Sequence, residues 1–175
     1  MTKPSATFTD QLNTLKNTAN LSVLKDIKRG VEREALRISA NGQLAQTSHP
    51  KRMGSSLTHD SITTDFSESL LEFITPPYAR TDDMLDELAD IHKFSLDAMD
   101  GELLWPMSMP CFIEDEDSIP LAYYGESNVA RMKRVYRMGL KNRYGSMMQA
   151  IAGVHYNFSL PDPVQSLEPN NHQTR

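Results

Sequence analysis

The chain has 175 residues, of which 39% are hydrophobic and 23% charged, enough for one domain with a real core or for part of a larger one. A mean hydropathy of -0.48 and the lack of any run near the roughly 20 apolar residues of a spanning helix exclude that kind of membrane protein, and the opening MTKPSATFTDQLNTLKN shows no basic-then-apolar secretory signal. A net charge of -5 argues against general nucleic-acid binding, and Cys111, the single cysteine, excludes an internal disulfide and a four-cysteine zinc site.

These properties give the expectation of a cytoplasmic protein in a reducing compartment. In residues 8–27, Phe8, Leu12, Leu15, Ala19, Val23 and Ile27 recur at three- and four-residue intervals, which predicts a leading helix over 1–27. From Lys28 the period changes. Val31, Arg33 and Ala35 alternate with Glu32, Glu34 and Leu36 until Asn41-Gly42, so a strand ending in a hairpin is expected. Residues 62–75, rich in Thr, Ile and Phe and stopped by Pro76-Pro77, read as one strand. Thr81 suits an N-cap, and Met84, Leu88, Ile91, Ser95 and Met99 form the stripe of the next helix.

Residues 103–113 are apolar but broken by Pro106 and Pro110, an irregular segment near the core, followed by acidic residues at 114–117. Ser127 is expected to cap a basic helix running to about Ala150, with Gly139 and Gly145 weakening its interior. Its Arg131, Lys133, Arg134, Arg137, Lys141 and Arg143 form a basic patch suited to a small anionic ligand. In the last predicted strand Val154, Tyr156, Phe158 and Leu160 make a dry side, and His155, Asn157 and Ser159 a chemical one. Residues 161–175 are polar and aperiodic, the composition of a disordered tail or an interrupted connection.

In a strand, residues two apart point the same way, so Glu32 and Glu34 share a face. Such a pair in a partly buried site repels itself unless a cation such as Mg²⁺ compensates it. The same spacing also describes a solvated edge strand with alternating charges. If residues 62–75 form one strand, Glu68 and Glu72 share a face, with Asp65, Leu71 and Phe73 on the other. His155 adds an imidazole beside the amide of Asn157. His49, His59, His92 and His172 have no carboxylate or cysteine at a ligand spacing and receive no role. Cys111, between Met109-Pro110 and Phe112-Ile113, reads as a buried, inert thiol. The sequence has neither a G-x-x-x-x-G-K-[ST] phosphate loop nor a G-x-G-x-x-G motif, so if the chain binds a nucleotide it must do so through metal and scattered cations.

Six segments taken in order carry a resemblance: RGVEREALR at 29–37, LTHDSITTDFSESLLEFITP at 57–76, LWPMSMPC at 104–111, YGESNVARMK at 124–133, YRMGLKNRYG at 136–145 and GVHYNFSLP at 153–161. Together the chain resembles the proteobacterial type of glutamate-cysteine ligase, from about Lys28 to Pro161, with the first 27 residues uninformative and the last 14 outside the likeness. The resemblance implies an α+β fold, part of a glutamine-synthetase-like curved antiparallel sheet with helices on its outer side, residues 28–160 being the N-terminal part of the catalytic domain. It implies ATP as co-substrate, Mg²⁺ (or Mn²⁺) as cofactor, and attack of glutamate's side-chain carboxylate on the γ-phosphorus before the amine of cysteine displaces phosphate.

Carried over motif by motif, Glu32, Glu34, Glu72 and His155 would be metal ligands, converging on one cavity. Phe66 and Tyr136 would line a cysteine pocket, and Gln149 and Asn157 would touch glutamate. Arg137 would meet a phosphate or carboxylate, unless it is an ordinary helix-surface arginine. Asp65 and Glu68 lie in the motif without a direct assignment. The expected partners are these small molecules and the remainder of the catalytic domain, with no nucleic acid and no membrane. The competing readings are a non-catalytic remnant or binding module of the same fold, and a different metal-dependent carboxylate-amine ligase.

Overall fold

The protein is described by a computed structural model covering residues 7–18 and 21–162. Helix α1, Phe8–Thr18, and a 3-10 segment, Leu21–Asp26, replace the single helix expected over 8–27; Ala19 lies outside the described residues. Phe8 is largely exposed, so the apolar period of this segment is not matched by burial at its start.

Strand β1, Lys28–Ile38, is the spine of a five-stranded antiparallel sheet. One edge of β1 pairs with β3, Leu70–Ile74, which carries β2, Ile62–Thr64, beyond it. The other edge is shared: the start of β1 pairs with β5, Val154–Ser159, and its end with β4, Leu103–Leu104. The hairpin after β1 forms at Asn41-Gly42, where Gly42 takes a φ of 82° that side-chain-bearing residues rarely adopt, and Ser39 N donates to Gln43 O at 2.9 Å.

The expected single strand over 62–75 is instead two strands joined by a tight turn. Asp65 N donates to Leu70 O at 3.0 Å, and Leu70 N donates to Ser67 O at 3.1 Å. Serine hydroxyls favour this break, since Ser67 Oγ also accepts from Leu70 N. At the far end Pro76-Pro77 offers no N–H, and the hydroxyl of Thr75 accepts from Val31 N at 2.9 Å before the chain rejoins the sheet through Arg29 and Tyr78.

Helix α2, Thr81–Ala98, begins one residue earlier than expected, with Arg80 rather than Thr81 at the N-cap. Ile91 and Met99 of the predicted stripe, with Ala98, pack against Ala35, Ile62, Leu71 and Phe73 on one face of the sheet, and Met53 closes the layer. Truncating a fully buried ring such as Phe73 to Ala would cost about 3–5 kcal/mol. On the opposite face, Leu36, Ile38, Phe66 and Leu70 pack with Cys111, Ile119, Ala150 and Ala152, and α3, Asn128–Tyr144, reaches this cluster through Leu140.

Helix α3 is capped by Ser127, whose hydroxyl accepts from Ala130 N at 3.2 Å. It stops at Tyr144, well short of Ala150, because Gly145 adopts a φ of 78° and its N–H closes the helix onto Lys141 O. Strand β5 lies where expected, but its dry side is exposed: Val154, Tyr156 and Phe158 have no layer against them among the described residues. Of the tail predicted over 161–175, residues 163–175 lie outside the described ones. No helix among the described residues is long and apolar enough to cross a membrane.

Candidate functional site

Antiparallel register decides which side chains share a face. Glu34 stands opposite Glu72, Glu32 opposite His155, and Gly30 opposite Asn157. Residues directly opposite project to the same side, so the three glutamates, the histidine and the asparagine all occupy one face of three adjoining strands.

Their immediate partners are specific. Glu32 accepts from the amide of Asn157 at 3.0 Å and meets His155 Nδ1 at 3.2 Å. Glu34 accepts from Gly153 N at 2.7 Å, while its own N–H donates to Gly153 O at 2.9 Å. Glu72 accepts no hydrogen bond and makes no ion pair among the described residues. Burial pushes its pKa up to about 7, assisted by the charges of Asp65, Glu34 and Glu32 and opposed by His155. Glu34 is also raised, first by burial, with the Gly153 N–H pulling the other way.

The expected convergence on a single cavity is only partly met. Among the described residues no three of these groups close around one point. A cavity of about 260 Å³ adjoins Glu32 and Asn157, between Lys28, Gly30 and Thr75, without reaching Glu34, Glu72 or His155. Electrostatics gives the reason: like charges spread, Glu32 toward His155 and Asn157, Glu34 toward Gly153. The donor set nevertheless suits a hard divalent cation, since half-buried carboxylates with raised pKa values and, among the described residues, no lysine or arginine paired to Glu34 or Glu72 lack the positive charge that would settle them.

Asp65 belongs to this face, contrary to the parity expected from one continuous strand. The turn after β2 reorients it, so its charge raises Glu72 more than that of Glu34 does. Glu68, expected beside Glu72, is instead buried in the turn, where it accepts from His49 N at 2.9 Å and Tyr123 N at 2.7 Å. Gly153 also escaped sequence reasoning. A Cβ there would lie 3.3 Å from His155 Nε2 and 3.5 Å from Glu34 Oε2, so the bare backbone lets both side chains approach.

Arg137 is not a surface arginine but is buried on α3. Its Nε donates to Asp65 O at 2.5 Å, and its guanidinium lies 4.8 Å from the centre of the Tyr124 ring. Neighbouring Tyr136 is exposed, Gln149 is half-buried, and Phe66 is fully buried inside the apolar cluster instead of facing an open pocket. The basic patch does not act as a unit. Arg131 pairs with Glu126 and Lys141 with Asp117, while Lys133 and Arg134 lie over Tyr124 and Tyr123.

Among the remaining histidines, His59 Nδ1 accepts from Ser61 N and Ile62 N, each at 3.0 Å. His92 donates from Nδ1 to Leu88 O and accepts from Arg33 at Nε2, which fits its downward-shifted pKa from burial. His49 has both ring nitrogens buried without a partner, and His172 lies outside the described residues. Cys111 is free and buried, and burial pushes its thiol pKa up, as expected of an inert thiol.

A family model described as "Glutamate-cysteine ligase" matches residues 12–174, so the likeness extends into both ends where the motifs alone gave none. A glutamate-cysteine ligase of Sodalis glossinidius is 63% identical over 143 residues, which are 82% of this chain and 28% of that protein. The enzyme of the same name from Pseudoalteromonas translucida is 56% identical over 161 residues, 91% of this chain and 31% of that protein. The chain therefore spans under a third of the length of these relatives. Among solved structures, a Francisella tularensis glutamate-cysteine ligase in complex with AMP superposes with a TM-score of 0.78 at 46% identity, covering 81% of this chain and 28% of that one. A bifunctional glutathione synthetase from Pasteurella multocida superposes with a TM-score of 0.77 at 31% identity, covering 94% of this chain and 21% of that one.

Proposed function

The chain belongs to the glutamate-cysteine ligase family, and on that premise we propose that it forms the acidic first portion of the catalytic domain of an ATP-dependent ligase joining the side-chain carboxylate of glutamate to the amine of cysteine. The carboxylate attacks the γ-phosphorus of ATP and ADP leaves. The cysteine nitrogen then displaces phosphate from the γ-glutamyl phosphate, and an amide bond replaces the acyl phosphate. The AMP held by the Francisella enzyme supports a nucleotide co-substrate.

The observation that carries this reading is the half-buried Glu34–Glu72 pair, flanked by Glu32, Asp65 and His155 and, among the described residues, without a lysine or arginine paired to it. Glu32, Glu34, Glu72 and His155 would hold Mg²⁺ or Mn²⁺, and Asp65 joins them on geometric grounds. When bound, the cation supplies charge to neutralise phosphate oxygens during phosphoryl transfer.

The chain's own groups prepare that face. Asn157 and His155 hold the carboxylate of Glu32, and the Gly153 N–H holds that of Glu34. Asn157, at the mouth of the small cavity, and Gln149 are assigned to glutamate. Exposed Tyr136 is assigned to cysteine together with Phe66, which is fully buried in the apolar cluster. Arg137 is assigned to a developing negative charge near Asp65. The single reduced cysteine accords with a cytoplasmic site of action.

The test is ligation by the whole polypeptide that carries this sequence. Release of ADP and γ-glutamylcysteine from ATP, glutamate and cysteine is expected, and no product from the 175-residue chain by itself. A whole polypeptide that binds no nucleotide and makes no product sinks the ligase reading.

A further inference from the structure

We propose that Tyr124 is a positioning residue for the acidic face: together with Arg137 it fixes the backbone at Asp65 and so keeps that carboxylate beside Glu34 and Glu72. The proposal rests on the metal-holding reading above.

Asp65 sits where β2 ends and the sheet ladder gives way to a turn; its N–H still donates to Leu70 O at 3.0 Å, but its carbonyl has no backbone donor among the described residues. Two side chains replace the ladder. Tyr124 donates its hydroxyl proton to Thr64 O at 2.5 Å and also lies 3.1 Å from Asp65 O, the carbonyl that Arg137 Nε reaches at 2.5 Å.

Tyr124 is itself held from two directions. The segment before it runs beside the turn, through Glu68 N to Pro120 O at 2.9 Å and Ala122 N to Phe66 O at 3.1 Å. Its ring is buried with Ala122, Ala130 and Leu57, and the Lys133 ammonium and Arg137 guanidinium each lie 4.8 Å from its centre. Helix α3 and the 120–124 segment thus meet on the backbone of one residue, whose carboxylate is turned to the glutamates with Arg137 Nη2 3.8 Å from its Oδ1.

Removing the hydroxyl would leave the ring packed but take its donor from Thr64 O and leave Asp65 O to Arg137 alone, loosening the hold on the Asp65 carboxylate. Tyr124 touches no reacting group, so its effect must pass through Asp65. That makes the effect separable by a double-mutant cycle.

The experiment measures Mn²⁺ binding to the whole polypeptide by calorimetry, with Tyr124→Phe, Asp65→Asn and the double variant. Tyr124→Phe is expected to weaken Mn²⁺ by about tenfold, in the range of supporting groups around a metal, and to add nothing once Asp65→Asn is present. Leu57→Ala, which loosens the same small cluster without touching a hydrogen bond at Asp65, should keep wild-type affinity. Unchanged affinity in Tyr124→Phe, an equal further loss in the Asp65→Asn background, or a matching loss in Leu57→Ala each overturns the proposal while leaving the metal reading intact, provided Glu72→Gln still weakens binding. A wild-type protein that binds no Mn²⁺ overturns both.

Discussion

Glu34 and Glu72 face each other directly across the β1–β3 ladder. Hydrogen bonds fall on alternate pairs of this ladder, and those flanking it, Arg37 N to Ser69 O and Thr75 N to Val31 O, put Glu34 and Glu72 by alternation at a position where the strands carry their side chains closest. Like charges opposite one another destabilise a sheet. A fold that keeps such a pair half-buried is set up for a cation or a proton.

The proton alternative gives a pH dependence. The pKa of Glu72 rises from 4.5 in the open chain to about 7 in the fold. Between those values the folded protein holds a proton that the unfolded chain has lost, so stability must fall as pH rises through this window. Metal-free chain should show this decline in urea titrations, and Glu72→Gln should flatten it. An unchanged slope in Glu72→Gln would place the titration elsewhere.

Glu32→Gln and Glu72→Gln probe the cation alternative. Each is expected to cost more than the roughly 10- to 100-fold typical of a group that merely supports a ligand, read as Mg²⁺ or Mn²⁺ affinity and as loss of ligation by the whole polypeptide. Thermal stability without metal should change little or rise, since one repelling charge is gone. Retained turnover with normal metal dependence would return these residues to the role of a solvated strand face.

Gly153→Ala tests how tightly the site is drawn. The added methyl would press on His155 Nε2 at 3.3 Å and Glu34 Oε2 at 3.5 Å, displacing the more exposed imidazole. Weaker Mn²⁺ binding with a nearly unchanged melting temperature is expected. A variant that binds Mn²⁺ as the wild type does would show that His155 is not needed where it stands.

Cys111→Ala should leave metal affinity and turnover unchanged, because the thiol is buried among Leu36, Phe66 and Ile119, away from any activating cation. The cost should appear only in stability, about 1 kcal/mol for a small change in a packed core. Loss of ligation in a normally folded variant would assign the thiol a chemical role.

The sequence by itself determined that Glu32 and Glu34 share a face, because side chains alternate along a strand whatever lies beside it. It likewise determined the apolar spacing of α2 and the Ser127 cap, the one set by helical periodicity and the other by a hydrogen bond within three residues. Only the tertiary structure decided that Asp65 and not Glu68 stands near Glu72, because a turn at 65–69 resets the alternation and long-range donors, Tyr124 and Arg137, then fix the new direction. It also decided the fate of Arg137, a helix position whose burial depends on a ring and a carbonyl far away in the chain. The side of β5 that alternation marked as dry is exposed for the same reason: alternation specifies which residues share a side, whereas burial requires another layer to arrive.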